Sequence, residues 1–254
     1  MKEPKAMAYV NMYGVLACLE NLCEIDDEAK AVVGSLKKPV SLCFEVANGP
    51  CCTFHFSKDG CTISEGSYGC TCKMNFASPE KFNALIDNNK PGMPTKNVAQ
   101  VLSFLLGPFT KLTNRLTELL MPSEENLKNR VFFEESTVLT FYTIAGALSA
   151  LANHDSVAKH SAFYTVDGDI QMGITDVCYA TLRVRNHTFE TIKEKPDTPR
   201  AIMEFKTIDL ANALFNGTAS TMAELCAGNI YMSGMINMID NVNRILDRVG
   251  MYLG

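Results

Sequence analysis

The sequence predicts an α+β protein built of two related units, each an antiparallel-rich sheet covered by helices. Three observations carry that reading. First, "CTCKMNFASPEKFNALI" (70–86) and "PRAIMEFKTIDLANALF" (199–215) both run from an alternating strand into a helix. At one offset Phe76 matches Phe205, Ser78 matches Thr207, Asn83 matches Asn212, and Ala84-Leu85 matches Ala213-Leu214. Second, short alternating segments separated by turn residues precede each passage. Third, each half opens with one helix and closes with another, amphipathic one. Self-similarity at a fixed spacing is the signature of a duplicated structural unit.

The first half begins with Ala8, Met12, Val15, Leu16, Leu19, Leu22 and Cys23, spaced three to four residues apart. That period predicts an amphipathic helix. Lys2 and Lys5 precede the segment and "VLAC" lies within it, features of a lipoprotein signal, but Glu3 and Asn11 interrupt the signal pattern. Strands are predicted over "VSLCFEVA" (40–47), "CCTFHFS" (51–57) and "CTISE" (61–65), with Asn48-Gly49-Pro50 and Asp59-Gly60 as hairpin turns. Ser78 stands between strand and helix, where a hydroxyl can cap the first turn. Phe109, Leu112, Leu116 and Leu119 form the stripe of a closing helix. The linker "MPSEENLKNR" (121–130) follows, with Pro122 to stop one helix and Ser123 to cap the next, dividing the chain into units 1–122 and 123–254.

The second half repeats the order. "STVLTFYTIAGALSALAN" (136–153) is the opening helix, and strands are predicted over "DIQMGI" (169–174), "VCYATLRV" (177–184) and "TFETIKE" (188–194). Thr207 is the second cap. Met235, Met238, Ile239, Val242, Ile245 and Val249 line a closing helix, opposite Asn237, Asp240, Asn243, Arg244, Asp247 and Arg248.

Composition narrows the function. The 254 residues carry a net charge of −5 and are 47% hydrophobic, with no run of Lys or Arg. Phosphate neutralisation needs a basic face, so nucleic acid is not an expected partner, nor is an anionic membrane patch. The longest uncharged run, 136–153, is diluted by Ser, Thr and Gly and reads as a buried helix, so stable membrane insertion is not expected. Eight of ten cysteines precede residue 73. With an apolar core and no convincing signal, they point to free thiols in a reducing compartment, and a cytoplasmic location is expected.

The order of elements resembles the sterol carrier protein 2 (SCP2) family. The residues that carry it are "MEFKTIDLANALFNGTASTMAELCAGNIYMSGMINMIDNVNRIL" (203–246): strand, cap, short helix, Asn216-Gly217 turn, second helix, a short last strand "NIYMSG", and the closing helix. In the first half "MNFASPEKFNALIDNNKPGMP" (74–94) supplies strand, cap and helix. "QVLSFLLGPFTKLTNRL" (100–116) departs, because Pro108 follows Gly107 at once and the segment before it is more apolar than a last strand. The resemblance implies two tandem units, each enclosing an apolar cavity. It implies binding of fatty acids, acyl-CoA or sterol-like ligands, with no cofactor and no chemistry by the domain itself. Under that reading the lining residues are Phe205, Leu210, Leu214, Met222, Leu225, Met232, Met235, Met238 and Ile239 in the second unit, and Phe76, Phe82, Leu85 and Met93 in the first. Methionine at helical spacing equally serves as ordinary core, and the alternative function is a structural or regulatory module mediating oligomerisation, with sheet edges available for a homodimer.

Catalytic or metal chemistry finds little to build on. The sequence has no phosphate loop, no G-x-G-x-x-G, no G-x-S-x-G and no H-E-x-x-H. His55, His154, His160 and His187 are scattered, and Cys70-x-Cys72 lacks a second ligand pair. Cys52, Phe54 and Phe56 share one strand face, as do Cys70, Cys72, Met74 and Phe76, so those thiols are expected in the core. A thiol-dependent activity of the N-terminal cysteines is the remaining enzymatic reading. The acidic pairs Asp26-Asp27, Glu124-Glu125 and Glu134-Glu135 read as helix starts or solvated faces.

Overall fold

The structure, a computed structural model, describes residues 2–87 and 98–254. Two compact units form, Met1–Glu135 and Ser136–Gly254.

The first unit starts with α1 (Pro4–Tyr9), continues as a π-helical stretch over Val10–Leu16, and ends this helical run in α2 (Cys18–Ile25). Next come α3 (Asp27–Gly34), β1 (Val40–Val46), β2 (Cys51–Ser57), β3 (Gly60–Glu65), β4 (Cys72–Phe76), α4 (Pro79–Asp87) and α5 (Val98–Phe104). A second π-helical stretch, Leu105–Phe109, leads into α6 (Thr110–Leu120). The sheet order is β3-β2-β1-β4, with β1 antiparallel to β2 and parallel to β4.

The 25-residue helix α7 (Arg130–His154) contains the boundary between the units. Asn129, not Ser123, caps it, its side-chain oxygen accepting from Val131 N at 3.0 Å. Ser123 instead accepts from Asn126 N at 3.2 Å, where the 3-10 turn Asn126–Lys128 begins. After α7 come α8 (Ala158–Phe163), β5 (Gly168–Ile174), β6 (Cys178–Arg185), β7 (Thr188–Ile192), β8 (Ala201–Phe205), α9 (Ile208–Phe215), α10 (Thr221–Cys226), β9 (Ile230–Gly234) and α11 (Ile236–Leu253). Here the sheet order is β7-β6-β5-β8-β9.

The two sheets share four strands in the same arrangement. β1 and β5 each pair antiparallel with the next strand and parallel with the fourth; Leu42 faces Cys72 as Ile170 faces Ala201. In each sheet a short crossover returns from the third strand to the fourth, tied down by a threonine at the same register. Thr53 donates to Gly66 O at 2.7 Å, and Thr181 donates to Glu194 O at 2.7 Å. The predicted caps form as well: Thr207 accepts from Leu210 N at 3.2 Å and Ser78 from Lys81 N at 3.5 Å.

Two further pairs of residues repeat. Asn83 on α4 donates to Pro4 O at 2.8 Å and accepts from Asn11 at 3.0 Å, docking α4 on the opening helix. Its sequence match Asn212 on α9 donates to Thr137 on α7 at 2.9 Å, the same docking in the second unit. Asp26 caps α3 through Ala29 N and also receives Arg115 from α6 at 2.8 Å. Asp155 caps α8 through Ala158 N and receives Arg248 from α11 at 2.6 Å, with Tyr252 donating at 2.8 Å. Each closing helix is thereby fastened by a buried aspartate. Asp26 is 1% exposed and Asp155 fully buried; of the two readings of the acidic pair, helix start or solvated face, Asp26 takes the first. Arg248, expected on the polar side of its helix, turns inward to this carboxylate.

The units differ after the crossover. In the second, β9 adds a strand beside β8, Phe205 facing Ile230 and Met203 facing Met232. In the first, no such strand exists among the described residues, and Leu105–Phe109 is π-helical through Gly107 and Pro108. Pro108 cannot donate to a sheet ladder, and Phe104 and Phe109 gain more by packing inward.

Candidate functional site

The candidate site is the face of the second unit formed by α9, α10, β9 and the start of α11. Alternation on β8 turns Ala201, Met203 and Phe205 to the helix-covered side, and pairing places Met232 beside Met203. α9 lies against β8, and Phe215 at its end meets Phe205 edge-on at 5.6 Å between ring centres. Asn216 and Gly217 turn the chain into α10, Gly217 with φ of +67°. Ser220 caps α10 through Ala223 N. Asn229 then ties α10 to β9, its amide donating to Glu224 at 2.7 Å.

Gly234 sets the angle between β9 and α11. Its φ is +87°, and an added Cβ would collide with Arg200 O. That carbonyl accepts from Met235 N at 2.9 Å, so backbone occupies the space a side chain would need.

The sequence-predicted lining residues fall into three groups in the second unit. Phe205, Met238 and Ile239 are buried. Leu210, Leu214, Met232 and Met235 are half-buried. Met222 and Leu225, on α10, are 69% and 36% exposed. No residue of α10 is buried, and Cys226 ends it in solvent. Apolar character therefore runs from the core, through the half-buried residues, to the surface.

The first unit handles the same positions differently. Phe82 is buried and Phe76 and Leu85 are half-buried, while Met93 lies outside the described residues. Phe76 and Phe82 join Phe44, Phe56, Phe104 and Phe109 in one network, with ring centres 5.1 Å apart for Phe76–Phe82 and 5.2 Å for Phe56–Phe104. Phe44 touches Phe76, Phe82 and Phe109, and Phe56 also meets Phe109. Such pairs contribute roughly 0.5–1.5 kcal/mol each beyond burial. Aromatic rings from α5 and the following π stretch thus pack on the inner side of this sheet.

A separate cleft of about 360 Å³ in the second unit is lined by His160, Ser161, Tyr164, Asn237, Asp240, Asn241 and Arg244. Every residue that lines it carries a polar group. Among the described residues no cluster of His, Cys, Asp or Glu could hold a metal ion, and no helix is long and apolar enough to cross a membrane.

Sequence reasoning missed Phe215 and both buried Asp–Arg locks. The locks were within reach: Asp26 and Asp155 lie at the offset that relates Phe76 to Phe205, upstream of the matched passages.

No protein-family model matches the chain, and no curated protein matches it. Among solved structures it is similar to one titled UbiJ-SCP2 ubiquinone synthesis protein, at 12% identity and a TM-score of 0.35, over 44% of this chain and 96% of that one. It is also similar to sterol carrier protein 2 like 2 from Aedes aegypti, at 15% identity and a TM-score of 0.32, over 42% of this chain and 93% of the other. A third similar structure is a sterol carrier protein 2, at 11% identity and a TM-score of 0.33, over 43% of this chain and 92% of that one. The chain is similar to SCP2 domains, and each similarity spans less than half of it.

Proposed function

We propose that the second unit binds a flexible apolar ligand, a fatty acyl chain or a sterol-like molecule, against α9, α10, β9 and the start of α11, and that the protein acts as a binder or carrier without transforming the ligand. The observation that carries this reading is α10, a helix with no buried residue that holds Met222 and Leu225 at the surface. Large apolar side chains held at the surface beside a core suit an apolar partner that covers them. Met222, Met232 and Met235 suit ligands of variable shape, since methionine has three rotatable bonds and a polarizable sulfur. The resemblance of residues 203–246 to the SCP2 family points to the same ligand class. In the first unit the phenylalanine network takes the corresponding space, and we assign that unit a packing role.

Native mass spectrometry of the purified protein, before and after organic extraction, tests the reading. A bound species of lipid mass, removed by extraction and restored by added fatty acid, is expected. Met222→Glu and Leu225→Glu should each weaken binding of a fluorescent fatty acid about tenfold, or ~1.4 kcal/mol. Both sites are exposed, so thermal stability should stay within about 0.5 kcal/mol of the parent protein. An unliganded mass that ignores fatty acid, acyl-CoA and sterol at micromolar concentration would overturn the proposal.

A further inference from the structure

The outer face of the first sheet carries a group of thiols that ligand binding in the second unit does not use. Cys43 on β1 and Cys51 on β2 have their sulfurs 4.0 Å apart. Cys43 is fully buried and Cys51 half-buried. Cys70, expected on the core side of a strand, instead precedes β4 in the crossover, half-buried, its thiol donating to Ser67 O at 3.6 Å. Lys73, paired with Glu45, stands opposite Cys43 on the neighbouring strand β4. The scaffold does not require sulfur here. At the matching register positions the second sheet has Gln171, bonded to Glu204, and Tyr179, packed over Gly173.

We infer that Cys51 and Cys43 form an oxidisable dithiol, a modification site at which a hydroperoxide converts two thiols into one reversible disulfide. Cys51 is the sulfur that the reagent reaches, at the first residue of β2. Its sulfur attacks one peroxide oxygen, the O–O bond breaks, and the other oxygen leaves as water or alcohol with the thiol proton. Cys51 is then a sulfenic acid. The Cys43 sulfur attacks Cys51 Sγ, the S–O bond breaks, and the hydroxyl leaves as water with the Cys43 proton. The peroxide is reduced by two electrons and the thiol pair is oxidised by two.

Strand geometry sets the character of this bond. Cys43 faces Thr53 and Cys51 faces Glu45, so the cysteines are diagonal neighbours rather than opposite ones. A disulfide needs its sulfurs about 2.05 Å apart. Closing the gap takes rotation of both side chains beside the Asn48-Gly49 turn, where the ladder ends. Half-buried Cys51 keeps the bond within reach of a thiol reductant, the mark of a regulatory rather than a structural disulfide. Burial pushes the Cys43 thiol up to about 12. It therefore stays protonated and inert to direct attack, and resolves the sulfenic acid slowly.

The test uses the full-length Cys226→Ser protein, which removes the exposed thiol. After treatment with hydrogen peroxide, remaining thiols are alkylated and the protein is cleaved without reduction. Cleavage after Phe44 separates Cys43 from Cys51. The expected product is a cross-linked peptide pair joining Cys43 to Cys51, returned to two alkylatable thiols by millimolar glutathione. Adding Cys51→Ser should leave Cys43 reduced, and adding Cys43→Ser should leave a sulfenic acid at Cys51 that dimedone traps. A bond from Cys51 to Cys70, a bond from Cys43 to Cys52, or over-oxidation of Cys51 beside a reduced Cys43 would each overturn the inference. So would thiols that react only after unfolding. The first readout needs no substitution at the site, so a poorly folding variant does not blunt it.

Discussion

Asp26 and Asp155 each do two jobs. Each caps a short helix, and each binds an arginine that reaches in from the closing helix. Removing one partner of a buried ion pair leaves the other charge uncompensated, at a cost of about 3–5 kcal/mol. Asp155→Ala should lower stability by that amount in urea unfolding at pH 7. Burial alone would raise the Asp155 carboxyl, but Arg248, the Ala158 N–H and the Tyr252 hydroxyl outweigh it and hold it below the usual carboxylate value. A carboxyl lowered in the folded state stabilises fully above its unfolded pKa of about 3.9 and loses that contribution as pH falls through the folded value. The urea midpoint should therefore fall with acidification below about pH 4, and Asp155→Asn should flatten that part of the profile. Asn83 follows a related logic without charge. Asn83→Ala leaves Asn11 without its acceptor in a buried place, a loss of about 1–3 kcal/mol in the same assay.

At the scale of elements, the strands and their turns were the most legible part of the sequence. Alternation with Asn-Gly and Asp-Gly turns defined β1, β2 and β3 to within a residue or two, because each signal is local. The β9–α11 junction was read through the resemblance to the SCP2 family, and its glycine has a local reason: Gly234 holds a backbone that only glycine adopts freely. Gly234→Ala should cost about 1–3 kcal/mol through strain at φ of +87° and the clash with Arg200 O, read as a drop in thermal midpoint. The opening helix was legible as helix but not as π-helix over Val10–Leu16, since one extra residue per turn leaves no clear mark on apolar spacing. Residues 105–109 kept a helical path through Pro108 because the following Phe109 packs against Phe44 and Phe56, a tertiary gain invisible to local rules. In the candidate site, residue type was readable but exposure was not. Met238 and Met222 look alike in sequence, yet one is sealed in the core and the other faces water. Only the turn at Asn216-Gly217 and the packing of α10 against β9 separate them.

At the scale of the molecule, one four-strand plan serves two ends. The shared register, the threonine-tied crossover, the asparagine dock and the aspartate lock make up the common frame. The variable parts are the outer-face residues, thiols in the first unit and Gln171 and Tyr179 in the second, and the last strand, present in one unit only among the described residues. Because the two locks have no partner in common, a defect in one should stay within its own unit. Hydrogen exchange read by mass spectrometry should show Asp26→Ala speeding exchange in the strands and helices of residues 2–87 and 98–135, with residues 136–254 close to the parent protein. Asp155→Ala should give the reverse pattern.

The asparagine dock bears on how the chain is made. Asn83 accepts from Asn11 and donates to Pro4 O of the opening helix, and it comes 72 residues after Asn11 and 79 after Pro4. A ribosome adds about 5–20 residues per second, so the opening helix emerges several seconds before its dock exists. During that interval Ala6 and Ala8, the buried residues of α1, lack the α4 that packs on that helix. The segment is thus a binding target for the chaperones that attend nascent chains, and a synthesis pause placed before residue 83 would lengthen its exposure.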